Sequence, residues 1–358
     1  MDYQSRKETM IAQLDHWQVD WLMITNLYNI RYLSGYSGSY ATLLIGREQQ
    51  YILSDGRYQE QIGREVNNYQ AVIQGKRKWM ETVIDTLAGG EGKRIGFEAE
   101  HTSVARLEDL KANLPEAEWT PTRRVVEEMR AVKDEAEVGL LRRALEIAEN
   151  AYQAALPQIR EGMTESELAH LLEDEMWQRG AEKESFESLV LFGERASLPH
   201  GKPSDRRLQK GDAILTDFGC VKDGYCSDIT RMAVLGQPND ELRTMCELVR
   251  QANRRATDAI QAGATGVDAD RAAREVIDQG GRGDQFIHGL GHGVGLEVHE
   301  APRLSYLSED ALQSGHVVTI EPGVYVPGFA GVRLENMGVV REGGCEILNQ
   351  TPAEVVVL

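Results

Sequence analysis

Gly211 to Gly219 reads GDAILTDFG, an apolar run of strand length that ends on an acid, and Gly315 to Gly323, GHVVTIEPG, repeats it with Glu321 in the place of Asp217. Glycines bound both runs, as expected of buried strands entered and left by turns. The match pairs Gly211 with Gly315, Ala213-Ile214 with Val317-Val318, and Gly219 with Gly323, at an offset of 104 residues. The second part of the chain therefore reads as two related halves, each delivering a carboxylate at the end of a buried strand.

Each copy continues in the same way. Asp228 follows Asp217 across the turn Lys222-Asp223-Gly224, and Glu335 follows Glu321 across a Pro/Gly-rich turn. A hairpin in each copy would set its two acids on neighbouring strands. A single acid in a strand usually lies on a solvated face or in a salt bridge. Four in related places among apolar residues need pairing, hydrogen bonds or a cation to stay ionised. Between the hairpins, Ile287 to Glu300 reads IHGLGHGVGLEVHE, which places His288, His292 and His299 among glycines 289, 291, 293 and 295. Those glycines are expected to let backbone approach a ligand. A fourth histidine, His200, precedes the first hairpin in SLPHGKP.

Composition narrows the function classes. With 39 Lys and Arg against 57 Asp and Glu, the net charge of -18 opposes a nucleic-acid partner. No run is long and apolar enough for a membrane span or a signal peptide, so a cytoplasmic location is expected. The cysteines at 220, 226, 246 and 345 lack CxxC spacing and are expected to be reduced. Nucleotide binding has no motif behind it: DFG occurs without the other kinase signatures, and neither GxGxxG nor GxxxxGK[ST] is present. HEAPR lacks the second histidine of a zinc helix.

Along the chain, a helix from Ser5, strands at Trp21–Thr25, Thr42–Ile45 and Tyr51–Leu53, and further helix–strand–helix alternation to about Leu114 predict a smaller α/β domain over 1–125. Pro115, Pro121 and the polar run between them read as its exit. An α+β domain over 126–358 follows. It opens with an amphipathic helix from Asp134 and a Thr164/Glu167 capping box, and helices return at 240–261 and 268–278.

DFG…YCSDITR, HGLGHGVGLEVHE, IEPGVY and RLEN together resemble the pita-bread metallopeptidases, the family of methionine aminopeptidase, aminopeptidase P and prolidase. VDWLMITNLYNIRYLSGYSGS and ILSDGRY resemble the creatinase-type N-terminal domain of the last two. The resemblance implies a pseudo-twofold fold around two divalent ions, with Asp217 a bidentate terminal ligand, Asp228 and Glu335 bridging, and His292 and Glu321 completing the second ion. It implies a substrate-facing role for His200, His288 and His299. In catalysis, Glu321 would move the proton of the attacking water, and His288 or His299 would donate to the oxyanion. An oxygen-rich set suits Mn²⁺, with Co²⁺ or Zn²⁺ also able to occupy it. All five ligand positions are filled, which disfavours a non-catalytic peptide-binding relative. The additional N-terminal domain favours cleavage at Xaa-Pro over methionine aminopeptidase activity. Arg303 and Arg333 are candidates to bind the prolyl carboxylate, and Xaa-Pro dipeptidase is preferred over aminopeptidase P on proline-containing peptides. A homodimer is expected from the same resemblance.

Overall fold

Strand-forming residues flanked by capped helices organise the first unit, Met1–Arg130, in a computed structural model that describes residues 1–90 and 92–358. Its sheet is built from β1 (Trp21–Ile24), β2 (Thr42–Gly46), β3 (Gln50–Ser54), β4 (Gln70–Ile73), β5 (Arg94–Glu98) and β6 (Glu118–Thr122), in the order β4-β3-β2-β1-β5-β6. Every residue of β1 and β2 is buried, as central strands require. Strands β1 to β3 form an antiparallel meander, while β5 and β6 run parallel to β1, so the βα alternation read from the sequence holds only in part. Trp21, Met23, Leu44, Val83, Leu87, Ile95, Phe97 and Leu110 share one core.

The polar run after Pro115 is not an exit. It is the edge strand β6, where Pro121 pairs with Phe97 and its missing N–H costs no ladder bond on the open side. The following helix, Val125–Ala131, packs with the first unit because Asn29 donates to Glu127 and Arg130 donates back to Asn29. The chain divides by packing after Arg130 rather than near residue 125.

The second unit, Ala131–Leu358, carries the repeat. Helices Glu135–Ala155 and Glu165–Gln178 precede strands Ala213–Phe218 and Ile229–Val234, and helices Asp240–Ala259 and Gly266–Gln279 precede strands Val317–Ile320 and Asn336–Arg341. Asp134 caps the first of these helices through Glu137, and the Thr164/Glu167 capping box is formed. In each half the strand pair is antiparallel, with Asp217 opposite Thr230 and Ile320 opposite Asn336. Between the members of each pair lies a hairpin, Cys220–Lys222 with Tyr225–Cys226 in one half and Gly323–Val326 with Ala330–Arg333 in the other. The repeat extends to the backbone, since Gly211 and Gly315 enter their strands at φ of 90° and 95°, a left-handed conformation that favours glycine. The halves meet at a seam where the Glu335 N–H donates to the Thr230 carbonyl.

Candidate metal centre

The acids lie where buried strands end. Asp217 is the penultimate residue of strand 213–218, Asp228 stands just before strand 229–234, Glu321 just after strand 317–320, and Glu335 just before strand 336–341. Each half thus contributes two carboxylates to the seam. Ligand atoms of Asp228, His292 and Glu335 all lie within 4.8 Å of one another, a group able to hold a cation. His292 Nε2 lies 3.4 Å from Glu321 Oε1 and 3.6 Å from Asp228 Oδ2. Asp217 is turned toward Arg333, with which its Oδ2 makes a short ion pair. The structure therefore brings four of the five expected ligands together and holds the fifth against a guanidinium.

Protonation and hydrogen bonding at this centre are those of residues that fit a cation. His292 Nδ1 lies 3.1 Å from the Gly293 carbonyl, so Nδ1–H donates there and the Nε2 lone pair faces the carboxylates. Burial, with His299 nearby, pushes the His292 imidazole down to about 4, which keeps it neutral. Two acceptors facing each other at 3.4 Å repel unless a cation or proton lies between them. Burial and then the neighbouring carboxylates, Glu335 first for Asp228 and Glu321 first for Glu335, hold Asp228 and Glu335 well above the usual carboxylate range. Burial pushes Glu321 up to about 7 against the opposing pull of Arg333. Among the described residues, buried Asp217 Oδ1 has no hydrogen-bond partner. An orphaned carboxylate oxygen, a neutral imidazole and crowded acids fit a divalent cation.

Thr230 and Tyr325 complete the frame, although the sequence reading passed over both. Thr230 Oγ1 donates to Glu335 Oε2 at 2.8 Å and accepts from Arg333 Nε at 2.9 Å. Its signal was its position in DIT, two residues beyond Asp228 and so on the same strand face. The Tyr325 hydroxyl accepts from Arg333 and lies 2.9 Å from His288 Nε2, while His288 Nδ1 faces the Gly289 carbonyl at 2.8 Å. With Nδ1–H committed to that carbonyl, Nε2 accepts from Tyr325. Both His288 nitrogens are then engaged within the protein, and this arrangement leaves no free His288 N–H for an oxyanion.

The remaining candidates divide. The His299 ring lies 4.3 Å from that of His292, and partial desolvation with Arg303 nearby pushes it below the ordinary imidazole range. His200 is exposed beside Pro199, whose carbonyl accepts from Arg333. Arg333 is buried and held by Asp217, Thr230, Tyr325 and Pro199. Arg303 is exposed, lies opposite His292 on the neighbouring strand and has no ion-pair partner among the described residues.

The glycines around His292 do not face a ligand, contrary to the sequence expectation. A Cβ on Gly291 would lie 2.2 Å from the Thr319 carbonyl oxygen, and one on Gly293 would lie 2.1 Å from that of Ala301. They permit close strand packing.

Comparison with known proteins agrees with this geometry. Residues 139–342 match the model of metallopeptidase family M24, and residues 6–132 match that of the creatinase/prolidase N-terminal domain. An Xaa-Pro dipeptidase of Pyrococcus furiosus is 36% identical over 98% of this chain and 99% of its own length. The solved structure of an Xaa-Pro dipeptidase from Bacillus anthracis superimposes with a TM-score of 0.96 at 34% identity, covering 99% of this chain and 100% of that one. An X-Pro aminopeptidase from Thermotoga maritima gives a TM-score of 0.92 at 36% identity, again covering 99% and 100%.

Proposed function

The chain belongs to metallopeptidase family M24, and on that premise we propose that it is an Xaa-Pro dipeptidase that releases the residue before proline. It is a metallopeptidase with a creatinase-type N-terminal unit on a pita-bread catalytic unit, and its family implies a divalent metal and a peptide substrate. The observation that carries the proposal is the convergence of Asp228, His292 and Glu335, with Glu321 in reach of the same imidazole.

Asp217, Asp228, His292, Glu321 and Glu335 would hold two ions. Mn²⁺ is favoured by four carboxylates and one imidazole. When bound, the ions supply Lewis-acid polarisation of the scissile carbonyl and a water acidic enough to react near neutral pH. Glu321, within reach of the same imidazole, would accept that water's proton and return it to the departing proline nitrogen. His299, beside His292 and not engaged by Tyr325, donates to the developing oxyanion. The run Arg333 to Tyr325 to His288 fixes the wall behind Asp217 and Glu335.

Two arginines were candidates for the prolyl carboxylate, and their surroundings separate them. Arg333 has its guanidinium occupied, whereas Arg303, next to His292 and His299, has no ion-pair partner among the described residues. Arg303 is therefore assigned the carboxylate clamp and Arg333 the internal brace. Arg303→Ala should raise KM for Ala-Pro about 10- to 150-fold with kcat nearly retained, as for a lost charge-assisted hydrogen bond of about 1.5–3 kcal/mol. An unchanged KM would remove the clamp. The direct test is Mn²⁺-supplemented hydrolysis of Ala-Pro, Ala-Pro-Ala and Met-Ala-Ser beside a chelated control. Cleavage confined to Ala-Pro is expected. Cleavage of the tripeptide at its Ala-Pro bond would make the protein an aminopeptidase P, and release of Met alone would overturn proline selectivity.

A cytoplasmic location is supported by four cysteines that are all free, and no helix among the described residues is long and apolar enough to cross a membrane. A homodimer is proposed from the family resemblance and is tested by light scattering of the eluting peak.

A further inference from the structure

Asn253 stands in the middle of helix Asp240–Ala259, on its buried face with Leu242, Met245, Val249 and Ala256. Asparagine is a weak helix former, and a buried amide must find partners for two donors and an acceptor. Its Nδ2 donates to the Ile320 carbonyl at 2.7 Å and to the Leu334 carbonyl at 3.1 Å. Those two carbonyls belong to the peptide groups that lead directly into Glu321 and Glu335. Its Oδ1 lies 3.4 Å from Nδ2 of Asn336, the residue after Glu335. One amide therefore grips the chain immediately before both acidic ligands of the second half.

The first half has a counterpart at the same repeat offset. Glu149, on the buried face of helix Glu135–Ala155, precedes Asn253 by the 104 residues that separate Asp217 from Glu321. Its Oε1 accepts from Arg231 Nη2 at 3.3 Å, and Arg231 Nη1 donates to the carbonyl of Glu335 itself. The peptide groups on both sides of Glu335 are thus each held by a buried side chain, Asn253 from one helix and Arg231, backed by Glu149, from the strand of the other half.

We infer that Asn253 is a positioning residue that sets the separation of Glu321 and Glu335, and through it the affinity and pairing of the two ions. The inference rests on the dinuclear reading above. Without the amide, the Ile320 and Leu334 carbonyls each lose a buried hydrogen bond and the strand ends carrying the ligands are free to part. Removing a partner that only orients ligands typically lowers metal affinity about 10- to 100-fold.

The test titrates Mn²⁺ into chelator-stripped wild-type protein, Asn253→Ala and Asn253→Ser, following heat of binding and the electron paramagnetic resonance spectrum. The thermal midpoint of each metal-free protein is measured alongside. Wild type is expected to bind two ions per chain with the spectrum of an exchange-coupled pair. Asn253→Ala should bind Mn²⁺ at least tenfold more weakly and lose the coupled spectrum. Asn253→Ser, which keeps one donor and covers the case in which the alanine variant does not fold, should fall between the two. Variants with wild-type affinity and spectrum but a lowered midpoint would overturn the inference and make Asn253 a strand brace only. A wild type that binds no pair of ions would instead overturn the dinuclear reading, and this inference with it.

Discussion

Asp228→Ala and Glu335→Ala should each abolish binding of at least one ion and lower turnover of Ala-Pro by well over 100-fold. That figure is already the upper range for losing a group that merely orients a ligand, and these carboxylates belong to the group proposed to hold the ions directly. Alanine also leaves the opposing acids with one fewer negative neighbour, so the apo variants should fold as well as the apo wild type or better. Metal content by elemental analysis and turnover decide the matter together. Near-wild-type turnover in either variant would remove both residues from the bridging role.

Metal removal should make stability depend on pH in a way the loaded protein does not show. In the metal-free fold, burial and like charge hold Asp228 and Glu335 well above their unfolded values and Glu321 at about 7 against 4.5. The folded state then binds more protons than the unfolded state, so stability falls as pH rises through the folded values, at about 1.4 kcal/mol per pH unit for each fully linked proton. His288, His292 and His316, pushed down to about 4 from 6.5, act with the opposite sign between those two values, because the unfolded chain binds their protons first. Above pH 6.5 the histidines no longer contribute and the acids prevail. The melting temperature of the chelated protein should therefore drop between pH 6.5 and 8. The increment gained on adding Mn²⁺ should grow over the same range, since the ions take the place of the protons. A metal increment that does not vary with pH would contradict a centre built from crowded buried acids.

Much of this centre was legible because its chemistry is carried by residue types that seldom occur among apolar neighbours. Asp217, Asp228, Glu321 and Glu335 stood out against the buried strands that deliver them, and His292 against its glycines. Thr230, Tyr325 and Asn253 were not legible for the same reason reversed. A threonine in a strand, a tyrosine in a hairpin and an asparagine in an amphipathic helix fit ordinary patterns, and only the three-dimensional contacts to Glu335, His288 and the Ile320 and Leu334 carbonyls give them meaning. The glycines of 289–295 were seen but misread, because sequence shows the absence of a side chain and not which neighbour occupies the space. Pro121 misled likewise. A proline breaks a central strand, but at the outer position of β6 it is tolerated, and strand order is not a property of the local sequence.

The close approach of Gly291 to Thr319 and of Gly293 to Ala301 also bears on which ions the protein accepts. His292 rides on a strand pressed against its neighbours on both sides, with no slack for the backbone to widen or contract around a guest. On the proposed assignment, cations of different radius would meet the same imidazole at the same place. Any adjustment would then come from the torsions of Asp228, Glu321 and Glu335, the carboxylates proposed to share the ions with it. Discrimination at such a centre is a matter of coordination number and donor hardness, and it would be altered by shortening a glutamate to an aspartate more readily than by loosening any loop.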